Sequence, residues 1–369
     1  FLFFTNVYDS EESLIDKNVW TIHDQDDSLI WVGTRKGITR INNNDNTYYS
    51  YPYKSTNLNL PENHDIWDIT TDNTNRVWAA TNGGLFLLEP YNNFKNARYK
   101  KVQFREPKNK MDDDVVYDLN IDQNNILWLA CKEGVGVIDI NTFNYSFITN
   151  DPDTKNTIPA AECRTVISDS KGNIWLGFSG GGLTKVEINK IEDKPNYKFT
   201  NYISDTSDKQ SLNDNTVLSI WEEPDGILWL GTYGGGLNRF DPLREEFKYY
   251  IEENGLSNNV IYGVIGGDSG TLWISTNFGL DLFDIKQELF KVYTESDGLQ
   301  SNEFNVNSFH RSKKGKLFFG GINGFNSFYP EDIKENKIPP KILITDIKFL
   351  KNNKFEDIPK YENAILVDS

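Results

Sequence analysis

A unit that ends a buried strand in a glycine turn recurs along the whole chain, and its clearest copy is Gly226 to Pro242, GILWLGTYGGGLNRFDP. Large apolar and small residues alternate through ILWLGT as in a buried strand, the glycines make a tight turn, and LNRFDP leaves as a second strand. The pattern returns at LIWVGTRKGITRI (29–41), RVWAATNGGLFLLEP (76–90), ILWLACKEGVGVIDI (126–140), NIWLGFSGGGLTKVEI (173–188), TLWISTNFGLDLFDI (271–285) and KLFFGGINGFNSFYP (316–330), making seven copies. Their anchors are Trp31, Trp78, Trp128, Trp175, Trp229, Trp273 and Phe318, spaced by 47, 50, 47, 54, 44 and 45 residues. Spacings of this size match a four-stranded propeller blade. A glycine lies six residues after the anchor (Gly37, Gly84, Gly134, Gly279, Gly324) or seven (Gly182, Gly236), where the turn requires a backbone that a Cβ would oppose.

Seven such units account for nearly all 369 residues, so the expectation is a single all-β ring, a seven-bladed β-propeller of four-stranded antiparallel blades over 1–333. Each blade should run strand a (VWTIH 19–23, IWDIT 66–70, VYDLNI 116–121, CRTVIS 163–168, VLSIW 217–221, IYGVI 261–265, VNSFH 306–310), an Asp/Asn/Gly turn, anchor strand b, strand c and an aromatic strand d. The last unit lacks its own strand d, and FLFFT at 1–5 resembles one; pairing the two closes the ring and removes an exposed sheet edge. Residues 334–340, with paired prolines, read as a linker, and KILITDIKFL (341–350) as a new strand opening a module that runs to 369. About 30 residues cannot bury a core alone, so this tail is expected to be the start of a truncated module or a strand docked on the propeller. The N-terminus has neither Met nor a signal-peptide pattern, and the chain reads as a piece of something longer.

Composition narrows the function. A net charge of −16 and a pI near 4.7 leave no basic surface for nucleic acid or an anionic membrane. No run of 18 apolar residues suggests a membrane helix. Cys131 stands where Thr34, Thr232 and Thr276 stand in other repeats, and Cys163 where Val19, Ile66, Val116, Val217 and Ile261 stand; both read as small buried hydrophobes rather than a disulfide. The clusters DQDDS (24–28) and DQNN (122–125) lack the spacing of a calcium loop and read as turn chemistry. His23, His64 and His310 show no metal-ligand spacing, and no phosphate-binding or nucleophile motif is present, so neither a metal nor a cofactor is expected.

The loops from d to the next a and the b-to-c turns should share one face, around the mouth of the central channel. The acids Asp16, Asp65, Asp114, Glu162, Asp214 and Glu303 fall in those loops, where a propeller glycosidase would keep its carboxylate pair. Eleven residues before each anchor, at the start of strand a, come Trp20, Trp67, Tyr117, Arg164, Leu218, Tyr262 and Asn307. From these and the turn residue Tyr233 we draw the candidate ligand-binding set Arg164, Trp20, Trp67, Tyr117, Tyr262, Tyr233 and Asn307. The aromatics would stack on sugar rings and Arg164 would clamp an anionic or hydroxyl-rich group; blade-to-blade packing, with an ion pair from Arg164 to Glu162 or Asp114, is the competing account.

The unit DNTVLSIWEEPDGILWLGTYGGGLNRFD (214–241) resembles the two-component regulator propeller repeat, and FFGGINGFNSFYPEDI (318–333) followed by PPKILITDIKF (339–349) is similar to the end of such a sensor and the first strand of its Ig-like, three-tyrosine module. Ala79–Ala80, Ala130–Cys131 and Phe318 depart from the pattern. The resemblance implies the extracytoplasmic (periplasmic) sensor of a hybrid two-component histidine kinase. Its ligand would be an oligosaccharide or other small molecule, and its output the control of polysaccharide-use genes. Dimerisation would come through the C-terminal module, with membrane helix and kinase outside this sequence. A propeller glycosidase or lyase and a non-catalytic protein scaffold are the rivals.

Overall fold

In the computed structural model, residues 1–7, 10, 12–52, 65–91, 93–103, 115–191, 194–268 and 270–333 are described, together with the strands Lys348–Lys351 and Lys354–Asp357. The chain divides into Phe1–Ile333 and Lys334–Ser369. In the second unit the two short strands pair antiparallel; 334–347, where the linker and the opening of the Ig-like module were expected, lies outside the described residues.

The first unit is a seven-bladed β-propeller of four-stranded antiparallel sheets. Blade 1 comprises Val19–Asp24, Leu29–Thr34, Gly37–Asn42 and Thr47–Pro52 as strands a to d, and blades 2 to 6 repeat that order, with strand a at Ile66–Thr71, Val116–Ile121, Glu162–Ser168, Val217–Glu222 and Ile261–Gly266. Blade 7 has Phe304–Arg311, Leu317–Gly321 and Gly324–Phe328, and its outer strand is Leu2–Phe4, with Leu2 opposite Ser327 and Phe4 opposite Phe325. A Cβ on Gly324 would run into the carbonyl oxygen of Phe4, as one on Gly236 would run into that of Tyr250. Leu2–Phe4 thus occupies the place that strand d holds in the other blades. All seven turn glycines have positive φ, from 71° to 159°, which explains their recurrence.

The anchors fill the spaces between blades. Trp31 packs on Ile66, Ile69 and Val77 of blade 2, Trp128 on Val166 and Ile174 of blade 4, and Phe318 on Val19, Ile22 and Val32 of blade 1, so the apolar contact runs around the ring and through its closure. Cys131 and Cys163 are buried free thiols in these layers. The substitutions at Ala79–Ala80, Ala130–Cys131 and Phe318 leave each blade four-stranded.

The acid of the a-to-b turn has a second task. Asp72 Oδ1 accepts the backbone N–H groups of Thr74 (2.9 Å) and Arg76 (3.1 Å), while its Oδ2 accepts the indole N–H of Trp78 at 2.8 Å. Asp122, Asp169 and Glu223 accept the indoles of Trp128, Trp175 and Trp229 at 3.2, 2.9 and 2.8 Å, and Gln25 accepts that of Trp31. In blade 7 the anchor is Phe318, which needs no acceptor, and the turn residue is Ser312. In blade 6 the position is Gly267, and the buried Trp273 Nε1 has no partner among the described residues. A carboxylate at this place therefore joins turn geometry to the blade core, as a buried indole N–H demands.

Candidate functional site

Strand a lines the channel, and in six blades it carries a bulge at one place. In blade 1, Val19 pairs with Thr34 and Thr21 with Gly33, leaving Trp20 unpaired; the same shift falls at Trp67, Tyr117, Arg164, Leu218 and Tyr262. An extra residue in one strand re-aims its side chain out of the alternation, so the strand-entry positions are bulge positions. In blade 7 the irregularity stretches from Phe304 to Phe309, and Asn307 adopts φ 60°, a left-handed conformation that Asn tolerates. Strand a there begins at Phe304, two residues before the expected start, because of this longer irregularity.

The ring so formed has two unlike halves. Through blades 1 to 4 the side chains pack on one another: the Trp20 and Trp67 rings lie 4.7 Å apart, Trp67 meets Tyr117 edge-on at 5.9 Å, and the Arg164 guanidinium sits 4.0 Å over the Tyr117 ring. Arg164 is 3.7 Å from Glu162, whose Oε2 also accepts the Tyr117 hydroxyl at 3.3 Å. From the opposite side of the channel, Asn307 Nδ2 donates to the Tyr117 carbonyl at 2.7 Å. Arg164, 20% exposed, thus has an ion-pair partner and an aromatic face, while its Nε, like the indole Nε1 of Trp20 and of Trp67, is buried with no hydrogen-bond partner among the described residues. Leu218 is buried. Tyr262 stands apart, its hydroxyl donating to Asn277 Oδ1 at 2.7 Å, and Tyr233 lies on the b-to-c turn of blade 5 rather than in the ring.

The mouth acids are mostly engaged. Asp16 pairs with Lys36 at 2.9 Å and Asp65 with Arg35 at 3.7 Å, while Asp214 caps its own loop through the Thr216 N–H at 2.7 Å. Glu303 is exposed, and Asp114 and His64 lie outside the described residues.

Below the bulges is a channel cavity of about 450 Å³, whose lining includes His23, Asp68, Asp118, Asn120, Trp221 and Arg311. The residues after the bulge are Thr21, Asp68, Asp118, Thr165, Ser219, Gly263 and Ser308, so two carboxylates interrupt a series of small residues, a signal that our sequence reading passed over. Thr21 Oγ1 donates to Asp68 at 2.9 Å, and Thr165 Oγ1 and the Val166 N–H both donate to Asp118 at 2.8 Å, stitching four successive blades. Burial first, and the facing Asp118 second, push the Asp68 carboxyl well above its ordinary range; burial also raises Asp118. The pair therefore keeps a proton where isolated carboxylates would have lost it. The His23 and His310 rings are 5.3 Å apart, and burial lowers them to about 3 and about 4, so both are neutral. Among the described residues no group of three or more His, Cys, Asp or Glu is placed to hold a metal.

Comparison with known proteins bears on this geometry. The chain is 28% identical over 336 residues to Histidine kinase P4 of Formosa agariphila, covering 90% of this chain and 23% of that protein. It is similar to the extracellular domain of the hybrid two-component system BT3049 of B. thetaiotaomicron, with a TM-score of 0.71, 24% identity, and 96% of this chain against 46% of that one. A catalytically inactive virginiamycin B lyase from Staphylococcus aureus shares the fold at a TM-score of 0.63 and 13% identity, covering 85% of this chain and 96% of the lyase. No protein-family model matches. The chain thus spans about a quarter of the curated relative and about half of the two-component structure. Both relatives agree with the resemblance to sensor propellers read from the repeats. No described helix is long and apolar enough to cross a membrane.

Proposed function

We propose that this propeller is the extracytoplasmic ligand-sensing domain of a hybrid two-component histidine kinase, that it recognises an oligosaccharide at the mouth of its channel, and that it catalyses nothing itself. What carries the reading is that 90% of the chain aligns with 23% of a histidine kinase while the chain itself contains no kinase motif, the relation of a sensor segment to a whole receptor. The mouth supports it, because Trp20, Trp67 and Tyr262 at strand-a bulges are only partly buried and Tyr233 on a b-to-c turn is exposed, which leaves aromatic faces at the channel entrance. In the whole receptor, binding would be passed through the C-terminal module, where receptors pair as homodimers, to a membrane helix, a cytoplasmic kinase and the transcription of polysaccharide-use genes. A second reading, a lyase, draws on the shared fold of the virginiamycin B lyase. A glycan array followed by calorimetry and product chromatography separates them: saturable binding with the sugar recovered intact supports the sensor, cleaved products establish an enzyme, and silence across the array overturns glycan recognition.

A further inference from the structure

Three consecutive b-to-c turns carry large apolar residues into solvent: Tyr233 in blade 5 is 58% exposed, Phe278 in blade 6 is 55% and Ile322 in blade 7 is 38%. The same turns hold Arg35 and Lys36 in blade 1, Asn82 in blade 2 and Lys132 and Glu133 in blade 3. Polar residues thus satisfy the turn equally well, and the fold does not require an exposed aromatic at this place. Exposed apolar side chains on three consecutive turns of one rim mark a surface that meets something.

Between the two aromatic turns stands chemistry suited to hydroxyl groups. Tyr262 donates to Asn277 Oδ1, which fixes the amide and leaves its Nδ2 without a protein partner among the described residues. Burial first, then the Tyr233 phenol and, more weakly, the exposed Glu303 carboxylate push the Tyr262 hydroxyl above its ordinary range, which puts both groups in its neighbourhood. Asp214 flanks the turn on the other side, its carboxylate 3.9 Å from where a Cβ on Gly234 would stand. Aromatic faces take the apolar C–H face of a pyranose, while an amide and a carboxylate bracket its hydroxyls. A ligand carboxylate or sulfate would instead approach Glu303 and Asp214. The mouth cations Arg35, Lys36 and Arg164 are held against Asp65, Asp16 and Glu162, and the exposed Lys132 stands on blade 3, so all four lie on blades 1 to 4.

Resting on the sensor reading above, we infer that the binding face is the arc of blades 5 to 7 built on Tyr233, Tyr262, Asn277, Phe278 and Glu303, and that it takes neutral oligosaccharides in preference to uronic or sulfated ones. The Trp20, Trp67, Tyr117 and Arg164 arc serves as the packed wall opposite. Calorimetry on this protein with neutral hexasaccharides (cellohexaose, xylohexaose, mannohexaose, laminarihexaose) and with oligogalacturonate and oligomannuronate tests the assignment. A neutral chain is expected to give saturable heat and the uronates none. Tyr233→Ala and Phe278→Ala should each weaken the neutral complex about tenfold without changing the melting temperature, whereas Arg164→Ala should leave its Kd within about twofold. Uronate binding that Arg164→Ala abolishes would overturn the inference and leave the sensor reading intact; heat from neither set would overturn the inference, and only silence across the wider array would overturn glycan recognition as well. If ultracentrifugation shows that Tyr233→Ala and Phe278→Ala dissolve a dimer instead, the arc is an interface between copies and the inference fails.

Discussion

Replacing Asp72 by alanine removes at once the acceptor of a buried indole and the cap of a turn. Trp78 has no exposed surface, and Asp72 Oδ2 is the acceptor of its N–H. Stranding a buried donor costs about 1–3 kcal/mol, and losing the turn bonds to Thr74 and Arg76 adds about 1 kcal/mol. The sum is about 3 kcal/mol, a fall of about 4 °C in Tm for a ring of this size. Arg76 also loses the bond from its Nε to Asp72 Oδ2 at 2.6 Å, but its guanidinium, part-exposed, keeps its bond to the Ile140 carbonyl. Blade 7 supplies the control: Ser312 occupies the same place beside an anchor with no N–H, and among the described residues its hydroxyl accepts only the Lys316 N–H, so Ser312→Ala should cost under about 1 kcal/mol. Coupling separates the two effects. Trp78→Phe should be about 1.5 kcal/mol less costly in the Asp72→Ala background than alone, because the stranded donor is then already present. The assay is urea unfolding of the four variants, with Ser312→Ala alongside. The pH dependence adds a check: burial alone would raise the Asp72 carboxyl, but bonds from Thr74, Trp78 and Arg76 outweigh it and hold it below its ordinary 3.8. Its contribution is present above that value and lost as pH falls through the folded pKa, so wild type and Asp72→Ala should converge in acid. Equal costs for Asp72→Ala and Ser312→Ala, or zero coupling, would refute the argument.

Removing Phe1–Thr5 should leave the edge of Gly324–Phe328 open and take away the Phe1–Phe328 and Phe4–Phe325 ring contacts, at 4.8 and 4.5 Å; a lower Tm and aggregation on size exclusion are expected, and an unchanged monomer would contradict the closure. Burial raises the Asp281 carboxyl to about 7 against donations from Ser257. Its stabilising effect is full below 3.8 and is lost as pH rises through about 7, so Asp281→Asn should gain on wild type at pH 8 and lose that gain at pH 4. Blades 5 and 7 already use this solution: Asn238 and Asn326 accept the loop N–H groups of Asn213 and Gln300 there, at 3.0 and 2.6 Å. Gly134→Ala, at φ 159° and with the Ile148 carbonyl where the methyl would go, should destabilise by more than about 1 kcal/mol in urea unfolding, whereas Gly180→Ala, at φ 84° but with open space around it, should cost only its backbone strain and so less.

The sequence by itself determined the ring. A blade is a run of local hairpins, so anchor spacing, turn glycines and strand alternation state its outline within each 50-residue stretch, and the missing outer strand of the last repeat pointed to FLFFT at the other end. It also placed the candidate residues on strand a, since one position repeats at a constant distance from the anchor. What those residues do was decided by tertiary structure. The bulge that re-aims them depends on pairing with strand b, and the contacts that occupy Arg164 and Tyr117 come from neighbouring blades or, with Asn307, from a residue 190 positions away. The Asp68 and Asp118 carboxyls look like two more polar residues of strand a until the ring closes them around one cavity and burial keeps a proton on the pair. Tyr233, Phe278 and Ile322 stand about 45 positions apart along the chain and come to one rim because consecutive blades present the same turn to the same face. Repetition makes local form legible in sequence, whereas the chemistry of a channel depends on side chains that meet across it, and only the closed ring brings them together.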